Sequence, residues 1–494
     1  MPCRASAVAA AASLALLLSA CADMGNIGSH ATQRDAASLG LVQPAATAPS
    51  VPATSRNDVD SQWWHAFGDP QLDALVDQAI QGNPNLQIAQ ARLVRAQAST
   101  AIAEAADKPQ LNGSIDLNRT QFSENYIYPS PLGGSIQEMG TAQINGSWEL
   151  DFFGKNRTAI AAAIGIANAT AADADAARVL LAANVARGYM QWARLNGQLV
   201  LAQRSLAQRE EILRLVRDRV SAGLDTRLEL SQSETGLPEA RQQIELFREQ
   251  IAIAQNAIDA LVAQPGTAAA LKPPELSSIR TAVLPSIVPV DLLGRRADIA
   301  AARWRVEAAT QDVANARTQF YPNVNLVAFA GYQAIGFSSL AKSGSQEWGI
   351  GPAIRLPIFE GGKLRANLRG KSADQDAAIE SYNATVLDAV REASDQVVSV
   401  RSIALQQVEQ RAAQAAAETA YDIAVQRYGA GLGNYLNVLT AETTVLLQRR
   451  QGVDLAARAL DAQVGLARAL GGGWQPPADA TSTAALDATS PRHP

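Results

Sequence analysis

A glycine turn that occurs twice is the feature that most constrains the fold of this chain. One copy runs from Arg219 to Leu228 and the other from Arg427 to Leu436, 208 residues later (427 − 219), with arginine, alanine, glycine and leucine coinciding. Glycine tolerates positive φ, so such a turn lets one helix end and the next reverse direction. A turn repeated at this distance indicates an internal duplication.

Long segments without proline precede both turns. Residues 155–222 and 363–430 contain 68 residues each (222 − 155 + 1 and 430 − 363 + 1). At about 1.5 Å per residue, each predicts a helix on the order of 100 Å long. Apolar residues spaced seven apart line the helices around both turns, which predicts coiled-coil packing. A plain soluble bundle would fit these ladders equally well, but it explains neither the helix length nor the strands. Pro238 predicts a kink in the helix after the first turn.

The strands are predicted by alternation. Leu111, Gly113, Ile115 and Leu117 alternate with polar residues, which indicates a strand with one apolar face. Each repeat supplies one β-hairpin, at about 109–150 and 322–359. Four strands cannot close a barrel, and lipid does not tolerate an open sheet edge. The predicted fold class is therefore an α-helical barrel of long coiled-coil helices with a membrane β-barrel shared between subunits.

The N-terminus has the layout of a lipoprotein signal peptide, over residues 1–20. It ends in Leu18-Ser19-Ala20-Cys21, which looks like a lipobox and marks Cys21 for lipidation. An ordinary signal peptide with a chance cysteine is the alternative. Cys21 would be the only cysteine of the mature chain, which excludes a disulfide framework. Ala22, rather than aspartate, follows Cys21, which resembles the sequence of lipoproteins that are sorted to the outer membrane.

The remaining chain divides by composition and by the repeat. Residues 21–61 are predicted to form a lipidated flexible tether, and residues 471–494 a disordered tail. Between them lie the first repeat at 62–264, a proline-rich connector at 265–290 and the second repeat at 291–470. The long helices are expected at about 155–262 and 363–470, with short helices before each hairpin.

Catalytic and cofactor motifs are absent from the sequence. The three histidines, His30, His65 and His493, have no metal-ligand spacing, and no nucleotide-binding or nucleophile motif occurs. We therefore expect neither an enzyme nor a cofactor or metal. The formal net charge of −5 does not indicate nucleic-acid binding, which requires a basic surface. Arg295, Arg296 and Asp298 are interpreted as a structural ion pair.

Several motifs resemble those of the TolC-like outer membrane factor family, in its OprM/NodT lipoprotein branch. The resemblance covers about residues 61–470, and Ala297 departs from it where the family usually has proline. The motifs are Phe67-Gly68-Asp69-Pro70, Asn83-Pro84-Asn85-Leu86, Leu293 to Ile299, Phe320-Tyr321-Pro322 and Arg427 to Leu436.

The resemblance implies a function, partners and a location. It implies a homotrimer with a twelve-stranded barrel, in the outer membrane of a Gram-negative bacterium and anchored to its lipid, with the helical tube in the periplasm. The chain would be the passive exit duct of a tripartite efflux system that exports small molecules such as drugs. Its partners would be a periplasmic adaptor and an inner-membrane pump of the RND type.

Other functions remain open from the residues alone. A structural coiled-coil lipoprotein spanning the periplasm would explain the helices, but it needs no amphipathic strand pairs. An exit duct of a type I protein secretion system would share the architecture. Without nucleotide motifs or polytopic helices, the energy for transport must come from a partner.

Two sets of site residues follow from the turns and the resemblance. Small residues at a turn let a partner approach the backbone, although the glycines could serve only to cap helices. Adaptor docking is predicted at Ala222, Gly223, Leu224, Gly431 and Leu432.

A periplasmic gate is expected just after the turns, because an apolar ring can block flow by dewetting. Leu436 matches a leucine that forms such a ring in the resembled branch; packing sideways in the coiled-coil seam is the alternative. That branch often carries Asp and Arg where this chain has Thr440 and Thr443, so we expect an apolar and hydrogen-bonded closure here. The predicted gate comprises Leu436, Thr440, Thr443, Leu228 and Gln232.

Overall fold

The computed structural model describes Met24 and residues 27–34, 59–281 and 294–475. The predictions on the signal peptide, Cys21, His493 and most of the tail lie outside these residues. The first repeat contains a 3-10 helix Trp63–Phe67, α1 Pro70–Gly82, α2 Pro84–Ala106, β1 Gln110–Gln121, β2 Ile136–Glu149, α3 Lys155–Ser221, α4 Arg227–Val262 and the short α5 Thr267–Ala270. The second repeat contains α6 Ala297–Thr318, β3 Asn323–Ile335, a 3-10 helix Phe337–Ser339, β4 Gln346–Arg355, α7 Lys363–Gly429 and α8 Tyr435–Ala469.

Contacts divide the described residues into two units. The strand unit comprises the N-terminal residues up to Gln33 together with residues 92–171 and 301–383. The turn unit comprises residues from 34–91, 172–300 and 384–494. The two long helices, α3 and α7, have 67 residues each and contribute to both units.

The strand unit contains one antiparallel sheet in the order β1-β2-β3-β4. Its register pairs Gly113 with Ile144, Ile144 with Ala330 and Ala330 with Trp348, so these residues share one face. Asn112, opposite Asn145, belongs to the other face. In β1 and β2 the alternation in the sequence therefore separates an apolar face from a polar one, whereas β3 also carries apolar residues such as Phe329 on the face of Asn145. The apolar face is open in the single chain, where Ile115 and Trp348 are about three-quarters exposed.

Small residues let helices of the strand unit approach closely. A Cβ added at Gly165 in α3 would lie 3.0 Å from the Cβ of Ala308 in α6. Beside this contact, α6 and α7 bury a cluster of Val313, Ala316, Phe320 and Leu368.

The N-terminal segment is part of this unit, which corrects one expectation. Met24 and Ile27 pack against the Phe320 cluster. Residues 29–31 bond to Asp376 on α7. Met24, Ile27 and residues 29–32 are therefore held by contacts within the strand unit and are not part of a free tether.

The core of the turn unit is rich in aromatic residues. Trp63, Trp64 and Phe67 are buried with Tyr189 and Trp192 of α3. Asp69 caps α1 by accepting from the Gln71 amide at 2.9 Å, and its second carboxylate oxygen accepts from the Tyr189 hydroxyl at 2.6 Å. One residue thus starts a helix and fixes it to the core.

Some of the apolar residues spaced by seven are fully buried, and others, such as Leu199 and Leu446, are half-buried. Trp192 and Leu213 of α3, Ile258 of α4 and Leu460 of α8 are buried. The helix α4 continues through Pro238 without interruption. Proline has no backbone N–H to donate to a carbonyl in the preceding turn, so α4 lacks one hydrogen bond and has a local weak point there.

The three glycines after α8 are ordered, whereas a disordered tail was predicted from Gly471 onward. Gly471, Gly472 and Gly473 all have positive φ. Each passes so close to other backbone or side chains that a Cβ would collide: with the Arg295 carbonyl, with Val179 and with the Asp60 carbonyl. The Trp474 indole then donates to Asp175 at 2.8 Å. The ordered turn unit therefore extends at least to Trp474.

Candidate functional site: the two glycine turns

The two repeated turns have the same backbone geometry. Gly223 and Gly431 have φ values of 72° and 74°. The Gly223 and Leu224 amides donate to the Val220 and Arg219 carbonyls at 3.0 and 2.8 Å, and the four bonding positions recur 208 residues later with the same two distances. This is the bonding pattern of a helix end that closes on a left-handed residue. The duplication seen in the sequence is thus also a duplication of conformation.

Each turn is followed at once by a helix cap. The Thr226 hydroxyl oxygen accepts from the Leu228 amide at 3.1 Å, and the Glu229 carboxylate accepts from the Thr226 amide at 2.9 Å. In the second copy, the Asn434 side chain accepts from the Asn437 amide at 3.1 Å. These caps satisfy amides at the start of α4 and α8 and make each reversal short.

Three side chains join the two turns to each other. Arg219 makes two bonds to Asp225, at 2.9 and 3.3 Å, and one to the Tyr428 carbonyl at 3.1 Å. Its guanidinium lies over the Tyr428 ring, 4.7 Å from the centroid, and the Tyr428 hydroxyl donates to Asp225. We call Arg219, Asp225 and Tyr428 the turn link.

The turn link is also an electrostatic unit. Hydrogen bonds from Arg219 hold the pKa of Asp225 below its usual value. Burial, with the hydrogen bond to Asp225, raises the pKa of Tyr428. The carboxylate is thus ionised and the phenol protonated at neutral pH, which is the combination that the bonds require.

The turn link was not predicted from the sequence, although differences between the two copies of the turn point to it. Asp225 and Tyr428 stand where the other copy has Gly433 and Val220. The residues that are identical in the two copies identify the turns. Only the positions where they differ reveal the residues that hold one turn to the other.

The predicted docking residues lie at the surface of the turns. Leu224 is 65% exposed and Leu432 is 68% exposed. Ala222, Gly223 and Gly431 are exposed beside them. Because Arg219 bonds to Tyr428, the turn link brings both sets of docking residues to one place in the turn unit.

The predicted gate residues are also exposed in the single chain. Leu228 and Leu436 are 62% and 59% exposed, whereas Tyr435 and Val438 beside Leu436 are buried. Leu436 therefore does not fill the seam of its own chain. The Thr440 and Thr443 hydroxyls donate to the Leu436 and Leu439 carbonyls, both at 2.9 Å. Because both hydroxyl hydrogens are donated within the helix, these threonines could only accept a hydrogen bond across a pore.

A second polar node lies further along the helices. Arg209 of α3 donates to Glu442 of α8 at 2.7 Å and to the Gly236 carbonyl of α4 at 2.7 Å. Gly236 lies two residues before Pro238, so Arg209 bonds to α4 at its weak point. Gln232, exposed on α4, lines a cavity of about 250 Å³ beside this node.

The arginine motif near the start of α6 is structural, as predicted. Arg296 is buried and pairs with Asp298 at 2.7 Å and with Glu392 at 3.1 Å. It also donates to the Ala469 carbonyl at 3.1 Å, so it ties α6 to α7 and α8.

The described residues contain neither a cluster of metal ligands nor a helix suited to a bilayer. Among the residues with described positions, no group of three or more histidine, cysteine or acidic side chains is placed to bind a metal ion. None of the helices in the described part of the chain combines the length and apolar character needed to cross a bilayer.

Comparison with known proteins gives a consistent result. Residues 75–264 and 288–472 match the sequence model of a family described as Outer membrane efflux protein. Multidrug resistance outer membrane protein MdtQ of Escherichia coli O157:H7 is 31% identical over 472 residues, covering 94% of this chain and 97% of that protein.

Two further relatives agree with it. Pyoverdine export outer membrane protein OpmQ of Pseudomonas aeruginosa is 31% identical over 464 residues, covering 93% and 96%. The crystal structure of the outer membrane protein VceC from Vibrio cholerae superposes with a TM-score of 0.80 at 36% identity, covering 84% of this chain and 100% of that one.

Proposed function

The chain belongs to the outer membrane efflux protein family, and we propose that it exports small molecules such as drugs by docking its two glycine turns to a periplasmic adaptor. It is an outer-membrane efflux channel, and its family is the outer-membrane component of efflux systems that also contain an adaptor and a pump. The docking residues, the gate and the type of pump are our proposals.

One observation carries the docking proposal. Leu224 and Leu432 are exposed on turns that are otherwise tightly bonded and that the turn link holds together. Exposed leucines at a rigid surface are typical of contact sites, because their burial by a partner is favourable and costs little ordering. Small neighbours, Ala222 and Gly431, leave the backbone accessible to an adaptor hairpin.

The test uses a charge on each exposed leucine. Leu224→Glu and Leu432→Glu leave the buried contacts of the turns intact, so the chain should reach the membrane at normal levels. We expect the double variant to lose most drug resistance in a strain lacking its own channel. Gly431→Trp would be less informative, because a φ of 74° disfavours any side chain and would disturb the turn itself.

The matched control is Leu447→Glu. Leu447 is 52% exposed on the same helix as Leu436, well beyond the turn. That variant should retain export. Full resistance in the Leu224→Glu/Leu432→Glu double variant, at normal protein levels, would remove the docking role from the turns.

For the membrane end, we propose that the open apolar face of the sheet contacts lipid. Each chain presents four strands with apolar residues such as Ile115 and Trp348 exposed on that face, and β1 and β2 carry polar residues such as Asn112 and Asn145 on the other. Three chains, as in the trimer of this family, would place twelve such strands side by side. Lipidation of Cys21 would add a second attachment, since one insertion signal and an acyl chain together anchor more firmly than either alone.

For the resting channel, we propose a constriction at Leu436, with Leu228 as a second contributor. Both are exposed in one chain and follow the turns directly, so threefold symmetry can place them in rings. Thr440, Thr443 and Gln232 would line the polar continuation of this constriction.

The energy source is proposed to be external. We propose a pump of the RND type in the inner membrane, as in the branch that the motifs resemble, and no catalytic step in this chain. The relatives named for multidrug resistance and pyoverdine export are outer membrane proteins, which supports a passive duct.

A further inference from the structure

A single carboxylate on α7 gathers several donors from the N-terminal segment. Asp376 Oδ1 accepts from the Ser29 hydroxyl at 2.5 Å, from the His30 amide at 2.9 Å and from the Ala31 amide at 3.0 Å. Two turns further along α7, the Asn383 side chain donates to the Thr32 carbonyl at 3.0 Å. Four bonds therefore hold four consecutive residues of the segment.

The segment has a defined direction. Its first described residues, Met24 and Ile27, pack on the cluster that contains Leu368, whereas Thr32 lies at Asn383. From Leu368 to Asn383 the helix rises about 22 Å. The segment therefore runs parallel to α7, and its N-terminal end lies towards Lys363, where α7 begins after β4.

We propose that Asp376 and Asn383 form a capture site for the N-terminal segment of the same chain, and that this capture fixes the point at which the lipidated end leaves the helices, beside the start of α7. Cys21 is three residues before Met24, so an extended chain limits the separation of their Cα atoms to about 10 Å. Capture would thus keep the acyl chains close to the strand-bearing end of the molecule.

The chemistry of the site suits this role. The two consecutive amides bonded to one oxygen of Asp376 recognise the backbone path of the segment, and the bond from the Ser29 hydroxyl adds recognition of one side chain. The bond from Ser29, with those from the two amides, also lowers the pKa of Asp376, so the carboxylate stays ionised in mildly acidic conditions. The apolar anchor of Met24 and Ile27 on buried Leu368 adds contact area next to these bonds.

The consequence concerns assembly. A lipid on a loose tether of some forty residues could reach the bilayer anywhere around the molecule. A lipid held near the start of α7 enters the same region of the membrane as the strands, so anchoring also positions β3 and β4 for insertion. This inference depends on the proposed lipidation of Cys21.

The first experiment measures capture. The precursor has two cysteines, Cys3 in the signal region and Cys21, so His30→Cys supplies a unique free thiol for a nitroxide spin label on the lipidated protein. We expect an immobilised spectrum in the parent and a mobile spectrum in Asp376→Ala. Asp374→Ala is the matched control, because Asp374 is an exposed neighbour on the same helix that pairs with Lys371, and it should leave the label immobilised. A mobile label in the parent protein would overturn the capture site.

The second experiment measures what capture does. We expect Asp376→Ala to slow the appearance of heat-resistant trimers about three- to tenfold in pulse-chase, with unchanged incorporation of labelled palmitate. In a chain whose first 21 residues are replaced by an ordinary cleavable signal peptide, the same substitution should cause no further slowing. Equal slowing in both backgrounds would show that Asp376 only stabilises the fold. Absence of palmitate from the parent would reject lipidation and with it the positioning role, while the spin-label result would still decide whether capture occurs.

Discussion

The Tyr428 hydroxyl at the end of α7 donates to the carboxylate of Asp225 in the turn of the other repeat. The two residues are 203 positions apart in the chain (428 − 225). Their bond, with Arg219 bridging both, directly connects the two glycine turns.

Removing this hydroxyl should loosen both turns. A hydrogen bond to a charged group contributes about 1.5–3 kcal/mol, so we expect Tyr428→Phe to raise local opening roughly 10- to 100-fold. Hydrogen exchange of the amides at 223–226 and 431–434 measures this. Tyr126→Phe, at an exposed tyrosine in the loop after β1, is the control and should change neither segment. Unchanged exchange in Tyr428→Phe would mean that the turns are held independently.

Acid should weaken the same connection. The pKa of Asp225 is lower in the folded chain than its usual value of 3.8. The ionised carboxylate therefore stabilises the turn link at neutral pH, and this contribution is lost as the pH falls through the folded pKa. We expect exchange at the turns to be constant between about pH 5 and 8, after correction for intrinsic rates, and to rise only in stronger acid. Asp225→Asn should abolish that rise; a rise near pH 6 in the parent would point to another group.

The resting conductance should depend on Leu436. Shortening an exposed leucine in a ring of three widens the constriction and makes dewetting less favourable. We expect Leu436→Ala to increase the conductance of purified trimers in planar bilayers several-fold, with Leu447→Ala, on the same helix, as the unaffected control. If both variants conduct like the parent, the constriction lies elsewhere.

The glycines after α8 should tolerate no side chain. A Cβ at Gly472 would lie 2.4 Å from a methyl carbon of Val179, at a φ of 58°. The left-handed backbone and the overlap together should cost about 2–4 kcal/mol in Gly472→Ala. Thermal unfolding in detergent measures the loss. Gly370→Ala, in an open position of α7, should instead be neutral or stabilising by up to about 1 kcal/mol, and an equally stable Gly472→Ala would mean that the turn can move.

Lipid attachment should depend on one residue. Cys21→Ser removes the thiol to which a lipoprotein lipid is joined, so we expect labelled palmitate to disappear from the protein and processing of the precursor to change. Trimers should still form, because the strands provide a separate attachment to the membrane. The parent protein processed in parallel is the control, and persistent labelling of Cys21→Ser would place the lipid on another residue or reject the lipobox.

Much of this fold could be predicted from the sequence, because its main features are local. Glycine at positive φ, alternation in the strands and a long absence of proline each constrain a short stretch of chain. The predicted fold class is confirmed by the superposition on VceC. The structural role of Arg296 was also predictable, since its partner Asp298 is two residues away.

The parts that could not be predicted depend on residues far apart in the chain. Asp225 meets Tyr428 only because two hairpins pack together, and neither residue is among those that coincide between the two copies of the turn. The N-terminal segment has the composition of a tether, yet its backbone amides find Asp376 more than 340 residues away. The three glycines after α8 read as a flexible tail, whereas their missing side chains are what permits close packing.

The equal lengths of α3 and α7, 67 residues each, also limit how the gene can change. Deleting one residue from α7 would rotate everything beyond the deletion by about 100° and shift it by about 1.5 Å. Tyr428 would then turn away from Asp225 unless α3 lost a residue as well. Substitutions can therefore accumulate along either helix independently, whereas insertions and deletions must be inherited in pairs, one in each half of the duplicated gene.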